Sequence, residues 1–252
     1  MRAWTAVLRT TIRQLLGGKR SLFLGLLALI PALVTFLATT NTSPSGAFRT
    51  FHDAPVAILF LIVLPIASLV LGSAALGDER RDGTLSFLVL RPMRRSAIAS
   101  AKLAAAWIAA VAVSGFATLA AAVVISIRVD DWGMLLPLMV GAALSCAAYT
   151  AVFLVLGHLT SRAVLAGLVY LFLWESGISF AAESLANVSL FRIGLSAYAG
   201  MVDGAPTILD DVLGSLTPGP GGAAVKAVVI TAGAVGGAAW LLAHRDLAAP
   251  AE

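Results

Sequence analysis

Charged side chains make up only 12% of the 252 residues, while 60% of the chain is hydrophobic. An ordinary soluble domain carries about a quarter charged residues. A soluble fold of this size cannot bury so much apolar surface, because area shrinks too slowly with size. Lysine is especially sparse, with only Lys19, Lys102 and Lys226, so the basic character rests on arginine. The single cysteine, Cys146, excludes a disulfide framework and a Cys-based metal site. It lies in an apolar run and reads as a small buried hydrophobe. His52, His158 and His244 are too far apart in sequence to suggest a ligand set. A phosphate loop is missing: Gly18-Lys19 is followed by Arg20, and Arg13 stands where its first glycine belongs. Neither G-x-S-x-G nor H-E-x-x-H occurs.

What is present is length of apolar chain. The mean hydropathy is +0.96, and a bilayer crossing needs about 20 mostly apolar residues. Six stretches qualify: Ser21–Ala38, Pro55–Gly77, Leu103–Ile127, Met134–Gly157, Ala163–Ala182 and Ala223–Ala243. The prolines within them (Pro31, Pro65, Pro137) are tolerated in membrane helices. The expected fold is therefore an all-α integral membrane protein, a single domain over residues 1–252 with six transmembrane helices. Before the first span, Trp4, Leu8, Ile12, Leu15 and Leu16 recur at helical spacing between Arg2, Arg9 and Arg13. That pattern predicts an amphipathic interfacial helix over residues 1–20. A signal peptide fits less well, since the charged region is long and no small-x-small site follows Ala38.

The basic residues divide unequally between the loops. Arg2, Arg9, Arg13, Lys19, Arg20, Arg80, Arg81, Arg91, Arg94, Arg95, Lys102, Arg162 and Arg245 fall on one side. Only Arg49, Arg128, Arg192 and Lys226 fall on the other. The bias of Lys and Arg towards cytoplasmic loops places both termini in the cytoplasm. The net charge of +4 then reflects topology, and no nucleic acid is needed to explain it. Two loops are long: the cytoplasmic segment 78–102 and the outer segment 183–222, where short helices packed against protein are expected.

Within the spans one acid stands out. Glu175 lies about 18 Å along the fifth span at 1.5 Å per residue. A charge at that depth costs roughly 2.5–3.5 kcal/mol on insertion scales. It is either a structural carboxylate bonded across helices or a group lining a translocation path. Gly233 and Gly237 form a G-x-x-x-G pair that suggests close helix packing in the last span.

The most informative stretch runs from Gly77 to Arg95: Asp78-Glu79-Arg80-Arg81-Asp82-Gly83-Thr84, an apolar run, then Arg91-Pro92-Met93-Arg94-Arg95. Gly83 allows a turn, Thr84 suits the cap of a short helix through Leu90, and Pro92 stops it. Interleaved acids exceed what topology alone requires. Glu79, Gly83-Thr84 and Arg91-Pro92 after the second span resemble the ABC-2 type permeases, the membrane subunits of ATP-binding cassette exporters. Gln14-Leu15-Leu16 to Lys19-Arg20 before a Pro31-containing span, Trp174-Glu175, and His244-Arg245-Asp246-Leu247 are similar to that family as well.

The resemblance implies a translocation subunit of an exporter in the bacterial cytoplasmic membrane, embedded in lipid. It would work as a homodimer or heterodimer, driven by a separate ABC ATPase on the cytoplasmic face. No catalytic residue and no cofactor is then expected in this chain; ATP and Mg would sit on the partner. Segment 78–102 would be the coupling loop, with Asp78, Glu79, Arg80, Arg81, Asp82, Gly83, Thr84, Arg91, Pro92, Arg94 and Arg95 as its working residues. The alternative is a subunit of a six-span secondary transporter or channel with no ATPase, which would need buried charges for ion coupling.

Overall fold

The computed structural model describes residues 2–17, 19–86, 93–178, 189–202 and 219–244. Every element in them is helical. Helix α1 (Arg2–Leu15) precedes α2 (Lys19–Thr39) and a short α3 (Pro44–Asp53). Helix α4 (Pro55–Ile58) widens into a π segment at Leu59–Val63 and continues as α5 (Leu64–Arg81). Then follow α6 (Arg95–Val129), α7 (Leu135–Leu159), α8 (Ala163–Val169) with a second π segment at Tyr170–Ile178, α9 (Phe191–Ala199) and α10 (Gly219–His244).

Five helical stretches are long and apolar enough to cross a membrane: Lys19–Thr39, Pro44–Arg81, Arg95–Val129, Leu135–Leu159 and Gly219–His244. The stretch expected as the fifth span, Ala163–Ala182, is described only to Ile178, and its apolar helix Ala163–Glu175 falls short of a full crossing. Helix α6 has 35 residues, about 52 Å of rise, well beyond a hydrocarbon core of about 30 Å. It begins at Arg95, so Ser96–Lys102 forms its first two turns and is not loop. The Ala-rich sequence there offers no helix breaker before Leu103. At the other edge of that loop, Asp78–Arg81 is the last turn of α5.

Helix α3 had no counterpart in the six hydrophobic stretches because half its residues are polar. Its signal was local: Ser43 caps it by accepting from the Gly46 N–H at 3.3 Å, and Pro44 takes the first turn. The π segment before Pro65 has a related cause. Proline lacks an N–H and crowds the carbonyl four residues back, and a wider turn relieves both.

At the centre, α5 packs against α7 through residues with little or no side chain. A Cβ on Gly77 would stand 2.9 Å from the Gly157 carbonyl oxygen, and one on Gly157 would run into the backbone of Ser73. Gly141 of α7 and Gly194 of α9 make a second such crossing, each with the other's carbonyl 2.7 Å from the added carbon. Apolar packing alone gives no drive between helices in lipid, so close backbone approach is what holds them. The Gly233–Gly237 pair takes no part in this packing: a Cβ at either position meets nothing within 4 Å. Spacing identified small residues there, but close packing needs a facing backbone, and α10 turns that side away from the other described residues. Helices α2 and α10 are the least enclosed spans. They present Leu22, Phe23, Leu26, Val225, Val228 and Trp240 outward, as lipid contact requires.

Helix α1 divides its apolar face. Val7, Thr11 and Leu15 are buried against α5 and α6, while Leu8, Ile12 and Leu16 are half-buried. Trp4 donates its indole N–H to Ser100 Oγ of α6 at 3.2 Å.

Candidate functional site

Helix α5 ends in a Schellman motif. Gly83 adopts φ +67°, its N–H donates to the Arg80 carbonyl at 3.3 Å, and the Thr84 N–H donates to the Glu79 carbonyl at 2.9 Å. Left-handed backbone of this kind favours glycine. The turn expected at Gly83 is therefore the C-terminal cap of the span itself. The Thr84 hydroxyl also donates to the Glu79 carbonyl, at 3.3 Å. The short helix expected after Thr84 begins at Leu85 and Ser86; its continuation through Leu90 lies outside the described residues, as do Arg91 and Pro92.

The acids and bases around that cap bind the ends of other helices. Asp78 pairs with Arg81 within α5 and with Arg20 at the start of α2. Glu79 pairs through Oε1 with Lys102 of α6, a lysine only 2% exposed. Arg80 donates to the His158 carbonyl at the end of α7, at 2.6 Å. Arg95, at the start of α6, donates to the Leu242 carbonyl at the end of α10, at 3.2 Å. Arg94 stands exposed at the N-cap of α6, and Asp82 is exposed beside Gly83. The run Asp78–Arg81 thus ties α2, α6 and α7 to α5, and Arg95 brings in α10. Helix α2 begins on this collar, α5 and α7 end on it, and α6 begins there, as antiparallel neighbours must.

Lys102 was legible only as one more basic residue of the loop. Its role as the partner of Glu79 depends on α6 starting early, so that Lys102 faces inward. Among the described residues no cluster of three His, Cys, Asp or Glu is placed to hold a metal ion.

Glu175 occupies a different place. It is 2% exposed and faces the N-terminus of α9. Its Oε1 accepts from the Tyr170 hydroxyl at 2.8 Å and the Leu190 N–H at 2.8 Å. Its Oε2 accepts from Ser189 Oγ at 2.5 Å and the Phe191 N–H at 3.3 Å. In an α-helix, residues five apart diverge by about 140°; the π segment brings Tyr170 and Glu175 to the same side. The carboxylate meets the first backbone N–H groups at the positive end of a helix. Helix α9 is secured from the far side by Tyr198, whose hydroxyl lies 2.7 Å from His52 Nε2. His52 Nδ1 donates to the Phe48 carbonyl at 2.8 Å, which leaves Nε2 of the neutral ring to accept from Tyr198.

Replacing Glu175 with Gln keeps one acceptor oxygen and turns the other into a donor facing donors. Loss of charge-assisted bonds of this kind costs about 1.5–3 kcal/mol each. Glu175→Gln is expected to lower the melting temperature by several degrees, and Glu175→Asp by no less, because it is too short to reach α9. Cys146 is buried, so a thiol-reactive dye reads unfolding directly. An unchanged melt for Glu175→Gln would contradict this anchoring role.

These features define a multi-pass α-helical membrane protein whose helix ends meet in one charged collar. Residues 19–177 match the family model described as an ABC-2 family transporter protein, and the chain belongs to the ABC-2 transporter family. It is a membrane translocation component and not itself catalytic. The matched region contains the whole Glu79-to-Lys102 part of the collar and Glu175. No curated protein matches the chain.

Proposed function

We propose that this chain is the membrane subunit of an ABC exporter, paired with a second permease and driven by a separate ATPase that acts on residues 78–95. The collar is the observation that carries this reading. A displacement at the Gly83 cap is transmitted through Asp78, Glu79 and Arg80 to α2, α6 and α7 together. Exposed Asp82 and Arg94 offer opposite charges to a docking partner, and such charges fix register more than raw affinity. Arg95 is exposed but engaged with the Leu242 carbonyl, so docking falls to Arg94, with Arg91 expected beside it.

Six crossings fit this arrangement. Helix α8 starts just past the collar end of α7, and α10 finishes on the collar through Leu242. On this reading the chain between Ala163 and Gly219 crosses once more, with Glu175 and α9 towards the outer side. The collar side is the cytoplasmic side, because it holds the excess of basic residues, and both termini lie with it. In a Cys146→Ala background, cysteines at Ser96 and Asp210 are expected to differ in intact cells: an impermeant thiol reagent labels position 210 and spares 96. The reverse pattern would overturn the orientation.

A further inference from the structure

A groove of about 650 Å3 runs between α6, α7 and α10, with Leu103, Trp107, Ala147, Val228, Ala232 and Val235 on its walls. It opens outward: Val228 is 66% exposed, Trp107 is 39% exposed, and Ala232 is exposed as well. Three of its polar side chains are already engaged. Ser100 Oγ donates to the Ala97 carbonyl and accepts from the Trp4 indole, Thr150 donates to the Cys146 carbonyl, and the Trp107 indole donates to the Ala143 carbonyl. That leaves a surface of hydrocarbon and the Thr231 hydroxyl.

Depth and charge identify what fills it. Arg95 donates to the Leu242 carbonyl, so the first turn of α6 is level with the last turn of α10. From that level the groove covers Ser100 to Trp107 on α6, about 8–18 Å of rise, and Val235 to Ala227 on α10, about 10–22 Å. Half of a bilayer's hydrocarbon core is about 15 Å thick, so the groove lies at the depth of one leaflet's chains. Ser96, Ser100, Leu103 and Trp107 share one face of α6 by their spacing, and the groove therefore leads down to exposed Ser96 beside Arg95. The Arg95 guanidinium uses Nη1 on Leu242 and has no carboxylate partner among the described residues. The first turn of α6 holds no acid.

We propose that the groove holds an acyl chain of a phospholipid from the collar-side leaflet, whose anionic headgroup rests on Arg95 and Ser96. Basic sites between spans favour such headgroups, and an arginine offers a phosphate several charge-assisted N–H donors. Calling that leaflet cytoplasmic rests on the orientation proposed above; the binding does not, and it is measured on this chain without any ATPase.

Native mass spectrometry of the full-length protein counts the lipid retained from mixed micelles with equal phosphatidylglycerol and phosphatidylcholine of the same chains. A preference of about fivefold for phosphatidylglycerol is expected, the effect of one interfacial arginine. Ser96→Glu sets a negative charge beside Arg95 at the positive end of α6, where an acid favours the helix. It should keep the melting temperature and erase the preference. Ala232→Phe fills the groove from an exposed position and should lower retention of both lipids. Equal retention of the two lipids by the parent protein, a preference that survives Ser96→Glu, or unchanged retention in Ala232→Phe would overturn the proposal. So would a dimer that separates on Ala232→Phe, which would assign the groove to a second copy of the chain.

Discussion

Gly157→Leu is expected to abolish recovery of monodisperse protein, and Gly157→Ala to lower both yield and melting temperature. The added carbon at position 157 meets the Ser73 backbone, which has no rotamer through which to withdraw. Overpacking costs typically 1–3 kcal/mol and occasionally more, and contact with backbone belongs at the upper end. The same seam contains Gly77 and Gly72, each with a carbonyl of α7 in its path, so the two spans cannot slide to a roomier register. Gly233→Ala is the matched control: it changes a small residue in a span with nothing within 4 Å and should leave yield and melt unchanged. Size-exclusion profiles and dye melts in detergent measure all three. A monodisperse Gly157→Leu with the parental melting temperature would refute the seam.

The second large effect concerns the Glu79–Lys102 pair. Removing one member of a buried ion pair typically costs 3–5 kcal/mol, because the other charge is left uncompensated. Lys102 is the more deeply buried partner, so Glu79→Gln should destabilise more than Lys102→Met. The double substitution Glu79→Gln with Lys102→Met should regain most of the lost stability, since replacing such a pair by neutral groups is often tolerated. Stimulation of the proposed ATPase partner should not return with it, because the link from the Gly83 cap to α6 is gone. Gly83→Val acts at the cap itself: a β-branched residue resists φ +67°, so the chain beyond Thr84 is misdirected while every span keeps its hydrophobicity. Insertion should be intact and coupling reduced at least tenfold. Recovery of full stimulation in the double variant would show that the pair holds the fold and transmits nothing.

The sequence reveals the parts of this molecule whose cause is local. Long apolar runs mark the bilayer, and Asp78–Thr84 carries its turn and its charges in consecutive residues. What stays hidden depends on partners distant in sequence. Lys102 belongs to Glu79 because α6 begins at Arg95, which no hydropathy window registers. Glycine spacing points to Gly233 and Gly237, whereas the close contacts fall at Gly77, Gly141, Gly157 and Gly194, where another backbone faces them. Glu175 could be singled out by the expense of its charge. That it completes the N-terminus of α9 follows from a π segment and from Ser189–Phe191, which periodicity alone does not bring together.

The claim that residues 78–95 receive the stroke of an ATPase is tested most directly by isolating the full-length chain from its native membrane. The tagged protein should bring with it a subunit bearing a G-x-x-x-x-G-K-[ST] phosphate loop, and the pair should hydrolyse ATP. With Arg94→Glu the ATPase should be lost from the complex, because the docking charge is reversed; with the stability-restoring double substitution Glu79→Gln and Lys102→Met it should remain bound but lose stimulation. Purification of the intact permease without any phosphate-loop subunit, or normal stimulation in both variants, would contradict the account.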